Sequence, residues 1–353
     1  MLQDILKTPL IPWQDGSGDL TDVVLDSRIR LSRNLKKYVF PDKATDAELA
    51  AVLAEGERYM PSLNTLGRGN YESIHLSDLT SWEREVLAER HLVSAGQIQK
   101  PQNRGLLLRQ DGAVAIMINE DDHFCIQTGA AGLQLDKAWE DATQVDDALE
   151  AKLNFAFRDD FGYLTASPSL TGTGLIAGVI LHLPGLVLMK RLNRIVQGIT
   201  KLGFTMCGMY TERNEYIGNV FQVTNQITLG VSEDDILGQL KKLVTQIVQE
   251  ERNCRNLLWT HNQNALKDRF FRNYGVLSHA WMLDFYETVD FLSDFRLGID
   301  FGVIQERPQA YHALLTAAGP AYLQWQAGRE LNDEEQDLQR ARVVRQLLQD
   351  YAI

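Results

Sequence analysis

The most constraining feature of the sequence is a long amphipathic segment at residues 232–258, because it separates two parts of unlike pattern. Ser232 and Asp235 have the spacing of a capping box at the start of a helix. Behind them, apolar residues recur at helical period on one face: Ile236, Leu237, Leu240, Leu243, Val244, Ile247 and Val248. We therefore predict a helix over 232–258. Strand-like segments occur only before it, and the sequence after it is helical in pattern and rich in aromatic residues.

Strand-like and helix-like segments come in clusters and do not alternate strictly. The clearest strand-like segments are 105–108, 113–118, 124–127 and 219–229, and further helical segments are 186–202, 280–291 and 334–351. Such clustering favours an α+β fold, with an antiparallel sheet flanked by helices, over a doubly wound parallel sheet. We predict two domains, with the boundary between residues 255 and 264. Residues 1–258 form the first, which begins with a small helical portion, and residues 259–353 form an all-helical domain.

The charge balance narrows the classes of partner. The chain has 35 Lys and Arg residues against 47 Asp and Glu residues, a formal net charge of −12. A field of that sign repels phosphate backbones and anionic headgroups, so neither nucleic acid nor a membrane is an expected partner. The longest apolar stretch, 175–189, contains His182 and Pro184 and is shorter than the ~20 residues of a spanning helix. No signal-like apolar segment precedes Trp13, so the cytoplasm is the expected compartment.

The common cysteine and phosphate motifs are absent. Cys125, Cys207 and Cys254 are far apart and predict neither a disulfide framework nor a zinc site. The sequence contains no GxxxxGK[ST] loop and no GxGxxG turn. Any phosphate chemistry in this protein would therefore depend on arginine side chains.

Three polar segments are candidates for a functional site. Arg28 and Arg30 would project from one face of a strand, a geometry suited to gripping a polyphosphate, although a solvated strand edge has the same pattern. Three adjacent carboxylates in segment 119–123 follow a predicted strand and would need a cation nearby, unless they form a plain acidic turn. The polar segment 210–219 has the composition of a loop, which could close over a substrate or be an ordinary surface loop.

Taken together, these segments and their order resemble the phosphagen (guanidino) kinase family, in particular its bacterial branch of protein arginine kinases. The resemblance extends over nearly the whole chain, through the segments 24–31, 89–94, 116–123, 162–165, 172–175, 225–230 and 320–331. It implies transfer of the γ-phosphoryl group of ATP, with Mg²⁺, to arginine side chains of proteins. The implied partners are proteins that carry arginine or phosphoarginine, and a second copy of the chain in a homodimer or higher homo-oligomer.

The resemblance also implies roles for individual residues. Asp121 and Glu215 match the carboxylates that orient the guanidinium and accept its proton. Asp337 and Arg340 match part of a phosphoarginine-binding motif; an i,i+3 surface pair on the last helix is the alternative. No side chain is assigned to a metal. The residues matched to the nucleotide site are Ser27, Arg28, Ile29, Arg30, Leu31 and His91.

Several positions depart from the family pattern. Three arginines that the family uses for phosphate are replaced here by Cys125, Ile176 and Cys207, and the family's glutamate base is shortened to Asp121. We therefore expect Mg·ATP to bind much more weakly than in an intact family member. Two hypotheses remain open: an arginine kinase with impaired activity, and a catalytically silent homologue that binds protein arginine or phosphoarginine or regulates an active kinase.

Two structural expectations complete the analysis. Arg28, Arg30, Asp121, His123 and Glu215 should converge on one cleft, since the family's chemistry brings phosphate and guanidinium together. The aromatic residues of the helical region should build its core or a contact between copies: Phe270, Phe271, Trp281, Phe285, Tyr286 and Phe291.

Overall fold

The computed structural model describes residues 2–14, 16–212 and 215–351, with backbone only at 211, 212 and 215. The strands are β1 (Val24–Arg33), β2 (Tyr71–His75), β3 (Gly105–Arg109), β4 (Val114–Ile118), β5 (Phe124–Ala131), β6 (Phe157–Arg158), β7 (Gly162–Tyr163), β8 (Leu175–His182), β9 (Phe204–Glu212) and β10 (Glu215–Asn225). Eight of them form a central antiparallel sheet in the order β2-β3-β4-β5-β1-β8-β10-β9, and β6 and β7 form a separate small hairpin. The predicted α+β class with an antiparallel sheet is confirmed.

Helices cover both faces of the sheet and form the C-terminal part of the chain. They are α1 (Leu2–Lys7), α2 (Asp46–Asn64), α3 (Ser81–Glu89), α4 (Ala95–Gln99), α5 (Leu135–Glu150), α6 (Pro184–Leu188), α7 (Leu192–Thr200), α8 (Glu233–His279), α9 (Phe285–Asp300), α10 (Gln309–Ala317), α11 (Pro320–Ala327) and α12 (Asp333–Tyr351). In the described part of the chain, no helix is long and apolar enough to cross a membrane.

Strand β1 shows how the two faces of the sheet differ. Ile29 and Leu31 point into the main core, where α2, α5 and the first half of α8 pack against the sheet. Arg28 and Arg30 point to the opposite face, because side chains alternate along a strand. That second face is covered only in part, by α1 and α3 at one side and by the C-terminal helices at the other. The space between these two covers is a cleft.

Helix α8 runs through the predicted domain boundary. The predicted segment 232–258 begins as expected, with the Ser232 side chain accepting the N–H of Asp235, but the helix continues to His279. Asn262 has a non-helical conformation and kinks it. The helical part beyond the kink shares a core with Leu25, Ile180 and Val220 of the sheet, so it packs directly on the cleft side of the sheet.

The predicted helix over 186–202 is wrong in its continuity, because two short helices occupy this segment. Lys190 has a left-handed φ of 56°, which ends α6 after Leu188. The N–H groups of Lys190 and Arg191 bond back to the carbonyls of Val187 and Leu186, the pattern of a Schellman motif. The predicted helix over 280–291 likewise begins later, at Phe285, because Asp284 is its N-cap.

The predicted loop over 210–219 is largely a β-hairpin. Strand β9 continues to Glu212 and β10 begins at Glu215, with these two residues paired in register. A bulge at Gly218 and Asn219, both at positive φ, interrupts the pairing further down. Strand β10 ends at Asn225, earlier than the predicted 229, because the Asn225 side chain bonds to the main chain of β8.

Candidate active site

Arg28 lies on the cleft face of β1 and is paired within its own strand. Its Nε donates to Oδ1 of Asp26 at 2.7 Å and its Nη2 donates to Oδ2 at 3.0 Å, a bidentate contact. The cross-strand neighbours of Arg28 are Gly129 and Gly178, which carry no side chain that could shield it. The guanidinium therefore borders the cleft, but its bidentate edge is already occupied by a carboxylate.

Arg30 is paired with a carboxylate from the acidic segment. Its Nη2 donates to Oε2 of Glu120 at 2.5 Å, and the Glu120 side chain is almost fully buried. Cys125 lies against Arg30 from the neighbouring strand, and its burial raises the pKa of the thiol to about 12. Ile176 is the cross-strand neighbour of Arg30 on β8 and brings an apolar side chain to this position.

The acidic segment 119–123 is a tight turn, and hydrogen bonds of Asn119 and Asp122 hold it in place. Asn119 has a left-handed φ of 58°, which asparagine tolerates well, and its Nδ2 donates to the carbonyls of Leu49 and Asn103. Asp122 is buried and accepts bonds from Asn34 and from the N–H of Ala166. Only Asp121 is left exposed at the tip of the turn.

Neighbouring charges shift the pKa of the Asp121 carboxyl. The charge of Glu120 is the largest influence and, together with partial burial, raises the pKa of Asp121, while Arg30 opposes the shift. Arg104 is a further cation beside the turn, since its Nε donates to the carbonyl of Asn119 at 2.6 Å. The carboxylate of Glu120 next to Asp121 thus favours a cation close to the Asp121 carboxyl.

The prediction that His123 lies in the cleft is wrong. Its ring is fully buried, with Nδ1 accepting the N–H of Leu35 and Nε2 at 3.0 Å from the carbonyl oxygen of Val39. Position 123 follows the tight turn, so its side chain enters the core and holds the segment after β1. His123 is therefore a structural residue.

His91 reaches the cleft because of the way α3 ends. It occupies the left-handed position of a Schellman motif, with its N–H on the carbonyl of Ala88 and the N–H of Leu92 on Leu87. The residue is exposed, and it lines the 260 Å³ cavity beside Arg28. Desolvation, followed by the charge of Arg28, lowers the pKa of His91, so the ring is neutral at neutral pH.

The predicted site residues line two cavities. One of about 260 Å³ is lined by Arg28, Arg30 and His91, with Ile176 and Met209. A second, of about 440 Å³, lies on the other side of the acidic turn and is lined by Asp42, Arg104, Glu120, Asp121 and Ser167. The two cavities share no lining residue, and the Arg30–Glu120 pair lies between them. The structure therefore brings Arg28, Arg30 and His91 to one cavity and places Asp121 in a neighbouring one.

The remaining residues predicted to contact a nucleotide point away from the cleft. Ile29 and Leu31 are buried in the main core, and Ser27 donates to the carbonyl of Gly132 at 2.7 Å. These are the odd-numbered positions of β1, so their side chains lie on the opposite face of the sheet. Of the three, only Ile29 borders the 260 Å³ cavity. The side chains of Ser27, Ile29 and Leu31 thus face away from the cleft, and their assignment to a nucleotide site stays a prediction.

Glu215 is near the tip of the β9–β10 hairpin, and its side chain lies outside the described residues. Its backbone pairs with that of Glu212. The hairpin thus carries a glutamate on each strand at the same level, and the register alone does not choose between them. The role predicted for Glu215 stays a prediction.

Asp337 and Arg340 are paired on α12, at 2.7 Å. Arg340 is buried, and its Nε and Nη1 also donate to the carbonyls of Ala318 and Leu283. Two backbone carbonyls and a carboxylate therefore use this guanidinium inside the helical core. The geometry favours a structural pair over a phosphate-binding arginine, and Asp337 is the more accessible of the two.

Sequence reasoning missed Asp26 and Glu120 as partners of the two arginines. Asp26 stands two residues before Arg28, so period-2 alternation already placed the two on one face. Glu120 was recognised only as part of an acidic run. Its contact with Arg30 depends on strand pairing across 90 residues of sequence, which no local pattern indicates.

Comparisons with known proteins define the class first. Residues 57–254 match the family model described as ATP:guanido phosphotransferase, C-terminal catalytic domain. Among solved structures, a duplicated taurocyamine kinase from Schistosoma mansoni superposes with a TM-score of 0.59 at 21% identity. The match covers 69% of this chain and 35% of that one, so this chain spans about a third of its length. The fold is that of the phosphagen kinases.

The relatives over the full length are more specific. Residues 263–352 match the model described as Protein-arginine kinase McsB C-terminal domain. A protein-arginine kinase of Brevibacillus brevis is 39% identical over 98% of this chain and 97% of its own length. One from Halothermothrix orenii is 40% identical over 98% of both chains. The chain belongs to the protein-arginine kinase family.

Membership of this family implies the use of ATP with Mg²⁺, and the residues present fit that pair poorly. Both cleft arginines are bonded to carboxylates, and Ile176 adds no charge beside them. A triphosphate at either arginine would have to displace the carboxylate that now occupies it.

Proposed function

We propose that this protein acts in protein arginine phosphorylation as a family member whose own transfer of the ATP γ-phosphoryl group is impaired, and that its acidic site docks arginine side chains of proteins. One observation carries the proposal: Arg28 and Arg30 are each bonded to a carboxylate of the same chain. Two positive charges face two paired negative charges, and in the neighbouring cavity Asp42 and Asp121 face Lys100 and Arg104. A triphosphate would enter a site without excess positive charge.

The substitutions at the other phosphate positions deepen this deficit. Each charge-assisted hydrogen bond contributes ~1.5–3 kcal/mol, so the loss of three arginines weakens phosphate binding by ~4–9 kcal/mol if the effects add. The three replacements differ in accessibility: Cys125 is buried, Ile176 is partly buried and Cys207 is exposed. An arginine at 125 would have to enter the core beside Arg30, whereas positions 176 and 207 border open space.

The acidic side of the site suits a guanidinium. Glu120, Asp121 and Asp42 line the 440 Å³ cavity together with Lys100 and Arg104, and the charge of Glu120 and burial raise the pKa of Asp121. A planar guanidinium can satisfy a carboxylate with two parallel hydrogen bonds. The arginine side chain of a protein is the ligand class that this charge and geometry favour, in keeping with the substrates of the relatives.

The second candidate function is a catalytically silent protein that docks arginine or phosphoarginine, or that pairs with an active kinase. The same acidic cavity supports arginine docking without any transfer. Asp337 would be the available half of a phosphoarginine site, since Arg340 is engaged in the helical core. Phe271 and Trp281 are exposed on the helical part, in agreement with the homo-oligomer prediction, whereas Phe270 is in the core.

Calorimetric titration with Mg·ATP, combined with an assay for acid-labile arginine phosphorylation, tests the proposal. We expect weak nucleotide binding and little transfer by the unmodified protein. The double variant Ile176→Arg with Cys207→Arg should bind Mg·ATP more tightly, and transfer should additionally need Asp121→Glu, because the shorter side chain withdraws the base by ~1 Å. Micromolar Mg·ATP affinity with robust transfer by the unmodified protein would refute impairment.

The docking function needs its own measurement. An arginine-containing peptide should bind the unmodified protein in the absence of nucleotide, and Asp121→Asn should weaken that binding at least about tenfold. Asp160→Asn is a matched control, since Asp160 forms an exposed pair with Arg158 outside the site. Equal affinity of the Asp121→Asn and Asp160→Asn variants would show that the peptide binds elsewhere.

A further inference from the structure

Both partners of the Asp26–Arg28 pair come from one strand, and both face the cleft. The side chains are 6% and 18% exposed, and both oxygens of Asp26 are engaged by the same guanidinium edge. This Nε–Nη2 edge is the one that binds a carboxylate or a phosphate in two parallel hydrogen bonds. It can hold only one such anion at a time.

Space around the pair shows that a ligand could otherwise reach Arg28. The neighbouring strands present Gly129 and Gly178 at its level, and Arg28 lines both the 260 Å³ cavity and an adjacent one of about 200 Å³. Asp26 lines the second cavity, whose other walls come from the N-terminal segment, α3, strands β8 to β10 and the C-terminal helices. Access to Arg28 is thus limited by the occupant of its bidentate edge and not by sterics.

We propose that Asp26 is a specificity-determining residue: it is an internal counter-ion that occupies the phosphate-binding edge of Arg28 and so turns the cleft away from polyphosphates. A phosphate at this edge would displace the Asp26 carboxylate into a nearly buried position without its partner and would stand next to its charge. Ligands without an anionic group meet no such competition. The inference rests on the proposed function, in which the cleft binds Mg·ATP only weakly.

The test compares two aspartates with the same kind of partner. Asp22 forms a bidentate pair with Arg252 outside the cleft, with contacts of 2.6 and 2.8 Å. Calorimetric titration with pyrophosphate and with Mg·ATP should give at least about tenfold tighter binding for Asp26→Asn than for the unmodified protein. Asp22→Asn should leave both affinities unchanged. Equal affinities for Asp26→Asn and the unmodified protein, or equal gains for both variants, would overturn the proposal.

A second variant and a direct readout guard against misfolding. Asp26→Ser removes the carboxylate with a smaller side chain, and the thermal melt of each variant shows whether it is folded. In the unmodified protein, the NMR signal of the Arg28 Nε–H should not shift with millimolar pyrophosphate, and a saturable shift would contradict the proposal. These outcomes concern the affinity ratio between variants and the occupancy of the Arg28 edge, whereas the proposed function is judged by transfer activity of the unmodified chain, so the two can fail separately.

Discussion

The carboxylate of Glu89 lies so close to Gly319 that a β-carbon on Gly319 would come within 2.5 Å of its Oε2. Glu89 is the last residue of α3, and its oxygens accept the N–H groups of Ala321 and Tyr322, at 2.8 and 3.1 Å, in the first turn of α11. The contact thus caps a helix of the C-terminal part with a side chain from the sheet-bearing part. It also fixes the end of α3, from which His91 enters the cleft.

This close approach predicts the effect of one added methyl group. Gly319→Ala should lower the free energy of unfolding by ~1–3 kcal/mol, because the glutamate must move and the cap is lost. Gly238→Ala is the control: no atom lies within 4 Å of its added β-carbon, and alanine favours the helix. Urea unfolding should therefore separate a destabilised variant from an unchanged or stabilised one. Equal midpoints for both would show that the contact is unimportant.

Glu89 also predicts a pH dependence. Desolvation, opposed by the two N–H donors, raises its pKa to about 7 from the ordinary 4.5. The folded state therefore binds the Glu89 proton more tightly than the unfolded chain does. The contribution of this proton to the free energy of unfolding is complete below about pH 4.5 and is lost as the pH rises through 7. Relative to Glu89→Gln, the unmodified protein should lose ~1–3 kcal/mol of unfolding free energy over this range.

Two charged neighbours modify the pKa of Glu89, and a second glutamate of α3 provides the control. Glu85 adds to the rise in the Glu89 pKa and Arg340 opposes it. Glu83, in the capping box of α3, has a lowered pKa, so its contribution is lost as the pH falls. Glu83→Gln should therefore change the pH profile with the opposite sign. A Glu89→Gln profile parallel to that of the unmodified protein would rule out the raised pKa.

Arg33 predicts the largest single loss of stability. It is 2% exposed, forms a bidentate pair with Asp146, donates to the carbonyls of Ser32 and Thr173, and lies 3.6 Å from the ring centre of Tyr163. Arg33→Ala should cost ~3–5 kcal/mol, because Asp146 would remain buried without a partner. Its control, Arg158→Ala, breaks an exposed pair with Asp160 and should cost at most ~1 kcal/mol by urea unfolding.

The fold was predictable where a local pattern determines it. The period of apolar residues after Ser232 indicated the start of α8, and the alternation along 27–33 placed Arg28 and Arg30 on one face. The continuation of α8 to His279 was not predictable, because beyond Leu258 the helix is held by packing against α9 and α12. The break at Lys190 was missed since lysine carries no signal for a left-handed conformation.

The sequence predicted which residues belong to the site better than it predicted their contacts. Resemblance to the family brought Arg30 and Asp121 into one hypothesis, and the structure places both beside Glu120. The sequence alone suggests that the two arginines are available for phosphate. An ion pair depends on the distance between side chains and on their burial, and neither can be read from the sequence. His123 was misplaced for a related reason: a polar residue in a functional motif was assumed to face the site, whereas its ring stabilises the main chain of Leu35 and Val39.

The cysteines give a prediction that also reports on the cleft. Cys125 and Cys254 are fully buried, and burial raises the pKa of both thiols, whereas Cys207 is exposed on β9. Because the thiolate is the reacting species, one thiol of the folded protein should react rapidly with Ellman's reagent and all three should react after unfolding. Cys207→Ser should abolish the rapid reaction and Cys254→Ser should leave it intact. Cys207 pairs with Gln222, which lines the 260 Å³ cavity, so a ligand bound there should slow the labelling of Cys207. Rapid reaction of two thiols in the folded protein would contradict the burial of Cys125 or Cys254.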